Sequence, residues 1–169
     1  ALTPKMLFSS KSKAKIKLGF IGTGLRGQWV LSLAMKYPEI DIPAICDIDE
    51  GMIQKALEIL KQGGRPEPRV YKKDDQDFQR MLNNEDLEGV YIGTPWEWHH
   101  PMSIAAMKTG AHVGVEVPAA ISVSQCWDLV NVSEKTNKFC MIMENVCYRR
   151  DIMAVLNMVR ENIFGELLH

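Results

Sequence analysis

Apolar residues change their spacing repeatedly along the chain. Short apolar runs predict six β-strands, at residues 15–21, 40–47, 69–71, 89–94, 112–117 and 139–143. Apolar residues at spacings of three and four predict α-helices between them, at residues 28–37, 49–62, 74–84, 101–108, 122–136 and 151–162. Strands that alternate with helices are typical of βαβ units and a parallel sheet. The predicted fold class is therefore α/β, a doubly wound parallel sheet.

A glycine-rich turn joins the first predicted strand to the first predicted helix. Its glycines, Gly22, Gly24 and Gly27, have the spacing G-x-G-x-x-G. In such a turn the first glycine permits a tight bend, the second lets the backbone approach a pyrophosphate, and the third allows the helix to pack closely on the strand. The helix then directs its free N–H groups toward the phosphates. This turn indicates a dinucleotide site in a Rossmann fold; the alternative is a glycine-rich turn without a ligand.

The second predicted strand ends in a carboxylate, Asp47, about 20 positions after the last glycine of the turn. A carboxylate at that place accepts hydrogen bonds from both ribose hydroxyls of an adenosine and repels a 2′-phosphate. Asp49 adds like charge nearby. These residues favour NAD over NADP as the cofactor. The alternative role of Asp47 is to cap the helix that follows.

Residues with distinctive chemistry also follow the later strands. In a doubly wound sheet the ligand lies at the carboxyl ends of the strands, so these positions are candidates for cofactor contact. The fourth predicted strand is followed by two tryptophans and a histidine, Trp96, Trp98 and His99. These rings would contact a nicotinamide or adenine ring; the alternative is that they only cover the edge of the sheet. Glu116 interrupts the apolar fifth strand, and a carboxylate there is costly to bury without hydrogen bonds. Asn145, after the sixth strand, offers both a donor and an acceptor.

Composition and charge narrow the possible functions. The chain has 169 residues, of which 46% are hydrophobic, enough for one domain with its own core. Its net charge is −1 and its basic residues are scattered, so we expect no nucleic-acid partner. No apolar run approaches the roughly 20 residues of a membrane span. The four cysteines lack paired C-x-x-C spacing, so we expect no metal site and mostly buried free thiols. The compartment stays open, either cytoplasmic or exported after removal of a signal.

Several motifs together carry a family resemblance that covers essentially the whole chain. The glycine turn, Cys46-Asp47, Thr94-Pro95-x-x-x-His99 and Glu116-x-Pro118 resemble the nucleotide-binding domain of the Gfo/Idh/MocA oxidoreductases. More narrowly, Gly22-Thr23-Gly24-Leu25-Arg26-Gly27, Trp96-Glu97-Trp98-His99, Glu116-Val117-Pro118-Ala119-Ala120 and Glu144-Asn145 are similar to glycoside hydrolase family 109, the NAD-dependent α-N-acetylgalactosaminidases. Sugar dehydrogenases of the broader family have a proton-transferring lysine where this chain has Val117. Because valine exchanges no proton, dehydrogenation that uses this lysine is not expected.

The resemblance implies a tightly held NAD that is reduced and reoxidised within one turnover. The implied activity is hydrolysis of α-N-acetylgalactosaminides by transient oxidation, elimination, water addition and re-reduction. The residues implied to contact NAD are Leu25, Arg26, Asp47, Trp96, Glu97, Trp98, His99, Glu116, Val117 and Asn145. Two alternatives stay open: an NAD-dependent sugar or cyclitol dehydrogenase, and a cofactor-binding module without catalysis.

The expected domain organisation has three parts. Residues 1–14 form an irregular arm, residues 15–164 the Rossmann domain, and residues 165–169 the start of an α/β substrate domain that is absent from this chain. The resemblance implies that the groups that contact the sugar belong mainly to that following domain, so the catalytic residues are not assigned. Without it, the chain is expected to expose an apolar patch. The full-length protein is expected to bind a small-molecule glycoside or sugar and to be a homo-oligomer.

Overall fold

The computed structural model describes residues 15–166. The predicted arm at residues 1–14 and the last three residues lie outside the described part. In chain order the elements are β1 (Ile16–Ile21), α1 (Leu25–Ala34), β2 (Ile40–Asp41), β3 (Ala44–Cys46), α2 (Glu50–Gln62), β4 (Arg69–Tyr71), α3 (Asp77–Asn84), β5 (Gly89–Ile92), α4 (Trp96–Lys108), β6 (His112–Val115), α5 (Val123–Thr136), β7 (Cys140–Ile142), a 3₁₀ helix (Val146–Tyr148) and α6 (Arg150–Arg160).

The strands form one parallel sheet in the order β4-β3-β1-β5-β6-β7, with the short β2 beside the start of β1. The strand order runs outward in one direction from β1 through β3 to β4, and in the other from β5 to β7. A crevice opens at the carboxyl ends of the strands where the direction changes, between β1 and β5. The predicted doubly wound parallel sheet is confirmed.

Side chains of the central strands alternate between two buried layers. Phe20, Ile45 and Tyr91 face one layer, where they pack against α1 and α2. Ile21 and Ile92 face the other layer, which α3 and α4 cover. Because strands in a parallel sheet are buried on both faces, these strands read as continuous apolar runs. The two layers hold the ends of β1 and β5 rigidly beneath the crevice.

Several predicted boundaries are wrong. The strand predicted at 40–47 is two strands, because Pro43 lacks an N–H group for the ladder. The first helix covers 25–34 rather than 28–37, and α3 begins at Asp77 rather than at residue 74. Helix α4 begins at Trp96 rather than at Pro101, which lies inside it. The N-cap of α4 is Pro95, and its φ of −58° is close to the value of a helical residue, so the helix can begin directly after it.

The end of the described chain exposes apolar surface. The predicted helix at 151–162 forms as α6, but Ile152, Val155 and Leu156, which its pattern predicts to face inward, are exposed. Helix α6 contacts the 3₁₀ helix before it. Residues of α5 and the edge strand β7, such as Trp127 and Met141, are exposed as well. Large apolar side chains of α5, β7 and α6 are therefore exposed.

Arg65, in the loop that follows α2, stabilises the connection between α1 and β2. Its guanidinium donates hydrogen bonds to three carbonyl oxygens, those of Ile40 (2.9 Å), Tyr37 (2.8 Å) and Met35 (3.4 Å). Charged donors to backbone carbonyls are stronger than neutral ones. This side chain therefore fixes the segment between α1 and β2 against the end of α2.

Arg65→Ala is expected to lower the free energy of unfolding by about 1–3 kcal/mol, because three carbonyls lose a charged donor. Lys55→Ala, at an exposed position of α2, is the control and should change it by less than about 0.5 kcal/mol. Urea unfolding followed by circular dichroism measures both. Equal effects of the two substitutions would show that Arg65 does not hold this connection.

Candidate functional site

Two clefts lie at the carboxyl ends of the strands, and both include Gly93 and Thr94, which follow β5. The first cleft has a volume of about 290 Å³ and extends from the glycine turn over β3 to Asp47. The second has a volume of about 180 Å³ and extends over β6 to Glu116. Together they span the crevice between the two halves of the sheet, where a dinucleotide binds in this architecture.

Backbone packing fixes the shape of the glycine turn. Gly22 has a φ of +89°, and a Cβ there would lie 2.5 Å from the carbonyl oxygen of Gly93. A Cβ on Gly27 would overlap the carbonyl oxygen of Gly22. A Cβ on Gly24, in contrast, would meet nothing within 4 Å, and this residue lines the first cleft. The first and third glycines thus serve the fold, whereas the second leaves space open to a ligand.

The first turn of α1 presents backbone N–H groups at the junction of the two clefts. The N-cap of α1 is Gly24, which has no side chain to cap the helix. Leu25 and Arg26 follow it as the first helical residues. The first N–H groups of a helix have no intrahelical partner and attract anions. The turn therefore has the donors and the open space that a pyrophosphate requires.

Asp47 is held against the glycine turn. Its Oδ2 accepts hydrogen bonds from the backbone N–H (2.6 Å) and the hydroxyl (3.0 Å) of Thr23, and its Oδ1 accepts one from the N–H of Asp49 (3.0 Å). The cap of α2 is Asp49, whose side chain accepts from the N–H of Met52. The alternative role of Asp47 as a helix cap is therefore wrong, and its carboxylate faces the first cleft.

The remainder of the first cleft is mainly apolar. Its walls include Ile48, Met52, Pro95, Trp98 and Met102, and Asp74 and Asp75 add carboxylates. The indole of Trp98 packs edge-on against the buried ring of Phe78, with 6.2 Å between the ring centroids. Apolar and aromatic walls beside a few polar groups are typical of pockets for planar ligands.

The motif after β5 lies on a helix, not on the predicted loop. Trp96 and Glu97 are exposed on the first turn of α4. His99 is only 1% exposed; its Nδ1 lies 2.7 Å from the carbonyl oxygen of Pro118 and its Nε2 lies 2.8 Å from that of Thr94. The ring thus joins the segments that follow β5 and β6. Its predicted contact with NAD stays a prediction, and its place in the structure gives it a role in holding the second cleft together.

A polar network links the glycine turn to the ends of β6 and β7. Arg26 donates from Nε to Oε1 of Glu116 (2.8 Å) and from Nη2 to Oδ1 of Asn145 (3.3 Å). The guanidinium also lies over the ring of Trp29, 4.5 Å from its centroid. The Glu116 side chain is 13% exposed, so the ion pair compensates a largely buried carboxylate. Val117, the next residue, is exposed at the cleft.

The cysteines differ from the sequence expectation. Cys46 is buried, and burial raises the pKa of its thiol to about 12. Cys126 and Cys147 are exposed, so the prediction of buried thiols is wrong for these two, which lie on the open surface near the end of the chain. Among residues 15–166, no group of three or more His, Cys, Asp or Glu side chains suits a metal ion. No helix in this described part is long and apolar enough to span a membrane.

Two residues of the site were missed in the sequence. Thr23 lies between two glycines and carries no signal of its own, yet it holds Asp47. Tyr91 reads as a core residue of an apolar strand, yet its hydroxyl contacts Glu116. The sequence signals that relate to them are the carboxylates that they contact, Asp47 and Glu116, since each carboxylate needs hydrogen-bond donors.

Comparison with known proteins agrees with this geometry. The model of the Gfo/Idh/MocA oxidoreductase family, an NAD-binding Rossmann fold, matches residues 16–144. The chain belongs to this family. It is an NAD-binding Rossmann domain, and the glycine turn has the cradle that this cofactor requires.

The relatives and solved structures extend the comparison. The chain is 52% identical over 162 residues to a glycosyl hydrolase family 109 protein of Parabacteroides distasonis. It is 51% identical over 162 residues to an α-N-acetylgalactosaminidase of Tannerella forsythia. Each match covers 95% of this chain and 35% of the relative. The WlbA dehydrogenase of Chromobacterium violaceum, solved with NADH and UDP-GlcNAcA, matches in fold with a TM-score of 0.76 at 22% identity, over 92% of this chain and 42% of that chain. The chain thus spans about a third of the length of the curated relatives.

The glycines give a matched test of the site. Gly24→Ala is expected to leave the melting temperature nearly unchanged and to weaken NAD binding at least about tenfold, because the new methyl group enters the cleft. Gly27→Ala is expected to destabilise the fold by about 3 kcal/mol or more, because its methyl group overlaps a backbone oxygen. Thermal unfolding and calorimetric titration with NAD measure the two effects. Normal NAD affinity in Gly24→Ala would contradict the placement of the cofactor at this turn.

Proposed function

We propose that this domain binds NAD across both clefts and forms the cofactor half of a glycosidase that hydrolyses α-N-acetylgalactosaminides. The observation that carries the proposal is the arrangement of Asp47 and Glu116 on opposite sides of the open glycine turn. The 51% identity to a protein named α-N-acetylgalactosaminidase supports the substrate class.

The adenosine half of NAD is assigned to the first cleft. Asp47, whose carboxylate Thr23 orients, would accept hydrogen bonds from the ribose hydroxyls. Apolar side chains of this cleft, among them Trp98 and Met102, would hold the adenine ring. The three carboxylates of this cleft, at positions 47, 74 and 75, disfavour the 2′-phosphate of NADP by like-charge repulsion. Cofactor preference follows from this charge.

The nicotinamide half is assigned to the second cleft. The backbone N–H groups of Leu25 and Arg26 would hold the pyrophosphate, and the cleft over β6 would hold the nicotinamide. The side chains assigned to this half are those of Trp96, Glu97, His99, Glu116, Val117 and Asn145. The oxidised nicotinamide ring is positively charged, so the carboxylate after β6 favours it over the reduced form, and the ion pair of that carboxylate with Arg26 offsets part of this preference.

The proposed reaction uses the cofactor as a temporary acceptor of hydride. NAD supplies an oxidation of the sugar and a later return of the same hydride, between which the glycosidic bond is eliminated and water adds. The residues of this domain bind and orient the cofactor; they supply no lysine after β6, where Val117 stands. The groups that contact the sugar are assigned to a following domain that begins near residue 165. Orientation of the sugar by that domain supplies much of the rate.

A second candidate is an NAD-dependent sugar or cyclitol dehydrogenase. It is favoured by membership in an oxidoreductase family. The third, a cofactor-binding module without catalysis, would be favoured if the full-length protein turned over neither class of substrate. Net NADH production separates the first two, because a hydride that returns to the sugar leaves no NADH.

Asp47→Ala is expected to weaken NAD binding about 10- to 100-fold, since both ribose hydroxyls lose a charged acceptor, and to reduce the preference for NAD over NADP. The matched control is Asp49→Ala, which loses the cap of α2 and about 1 kcal/mol of stability while the affinity for NAD is kept. Calorimetric titrations with NAD and NADP measure both. Equal losses of affinity in the two variants would exclude Asp47 as the ribose acceptor.

The full-length protein is expected to release p-nitrophenol from an aryl α-N-acetylgalactosaminide without accumulating NADH. The 169-residue chain alone is expected to bind NAD but to show no turnover, because a substrate pocket needs a second wall. Absorbance at the wavelengths of p-nitrophenol and NADH follows both products. Net NADH from free sugars, without p-nitrophenol, would support the dehydrogenase instead, and turnover by the short chain would contradict the assignment of the sugar contacts to a following domain.

A further inference from the structure

Tyr91 lies in the centre of the sheet, directly beneath the site. It pairs with Phe20 of β1 and with Gly114 of β6. The side chain is buried, and its ring packs on that of Phe20 with 5.1 Å between centroids. A Cβ on Gly27 would lie 3.9 Å from the Cε1 of this ring, so the tyrosine supports the floor of the glycine turn.

The hydroxyl of Tyr91 reaches past the end of its own strand. A Cβ on Gly93 would lie 2.6 Å from the tyrosine oxygen, so the absence of a side chain there gives the hydroxyl its path. The hydroxyl donates to Oε1 of Glu116 at 3.3 Å. Burial, followed by the negative charge of Glu116, raises the pKa of Tyr91, so the hydroxyl stays protonated and remains a donor.

The same carboxylate oxygen receives a second donor from above the sheet. Arg26 donates its Nε to Oε1 of Glu116 at 2.8 Å, and its Nη2 reaches Asn145. Glu116 is therefore held from below by the sheet and from above by α1. Two donors that converge on one oxygen restrict the rotation of a carboxylate far more than either one alone.

We propose that Tyr91 is a positioning residue, which fixes the orientation of Glu116 and thereby the charge that the second cleft presents to the nicotinamide. This inference rests on the proposed contact of Glu116 with the cofactor. A phenylalanine would fill the same space in the core, so packing alone does not require the hydroxyl, whose burial is costly without its acceptor.

Tyr71 provides a matched control within the same sheet. It is also buried, and its hydroxyl also donates to a glutamate, with 2.6 Å to Oε1 of Glu85. Glu85 lies at the end of α3 and lines neither cleft. Both substitutions remove one buried hydroxyl that donates to a glutamate. Tyr91→Phe does so beneath the site, whereas Tyr71→Phe does so away from it.

The test is titration of the 169-residue chain with NAD⁺ and, separately, NADH. Tyr91→Phe is expected to weaken NAD⁺ binding about three- to tenfold, the effect of one lost hydrogen bond, and to weaken NADH binding less. The ratio of the two dissociation constants therefore shifts toward NADH, because only the oxidised ring carries the positive charge that Glu116 faces. Tyr71→Phe should change neither constant. Equal weakening of both forms by Tyr91→Phe would indicate a packing role and would overturn the proposal.

A double-mutant cycle with Glu116→Ala separates the proposed role of Tyr91 from the proposed contact of Glu116 with the cofactor. In the Glu116→Ala protein, Tyr91→Phe should have no further effect on NAD⁺ binding, because the hydroxyl has already lost its acceptor. The same fold-change in both backgrounds would overturn the proposal. If Glu116→Ala weakens binding and Tyr91→Phe does not, only the role of Tyr91 fails. If Glu116→Ala leaves the affinity for NAD⁺ unchanged, the contact of Glu116 with the cofactor fails and the role of Tyr91 with it.

Discussion

The close approach of three backbone segments at the glycine turn is the constraint on which the rest of this site depends. The start of α1 folds back so tightly on the end of β1 that Gly27 lies against the carbonyl oxygen of Gly22. Gly22 in turn lies against the carbonyl oxygen of Gly93, after β5. Only residues without side chains allow this packing. It brings the first N–H groups of α1 to the one place where both clefts meet.

Each half of the site is attached to this junction by one carboxylate. Asp47 is tied to the turn through Thr23, and Glu116 through Arg26. Both carboxylates accept hydrogen bonds from groups of the protein itself, so the chain fixes their orientation without help from a ligand. Preorganised polar groups lower the cost of binding, since fewer side chains have to be ordered by the ligand.

The architecture could be predicted from the sequence because its signals are local. Alternating strand and helix patterns predict the parallel sheet, and the G-x-G-x-x-G spacing predicts the tight turn at the start of α1. The features that the sequence did not show depend on contacts between residues far apart in the chain. His99 follows two tryptophans in sequence, but its ring is buried because carbonyls after β5 and β6 converge on it. Arg65 and Tyr91 likewise act on partners more than 20 residues away, which a local pattern does not show.

Binding of NAD across both clefts is tested most directly by the amide chemical shifts of the isotopically labelled chain on addition of the cofactor. We expect the largest shifts at Leu25 and Arg26, with further shifts near Asp47 and Glu116, because the cofactor spans both clefts. A separate apolar cavity of about 410 Å³, lined by α5 and β7 residues such as Leu129 and Ile142, should show no change. Shifts confined to that cavity, with none at the glycine turn, would contradict the central claim.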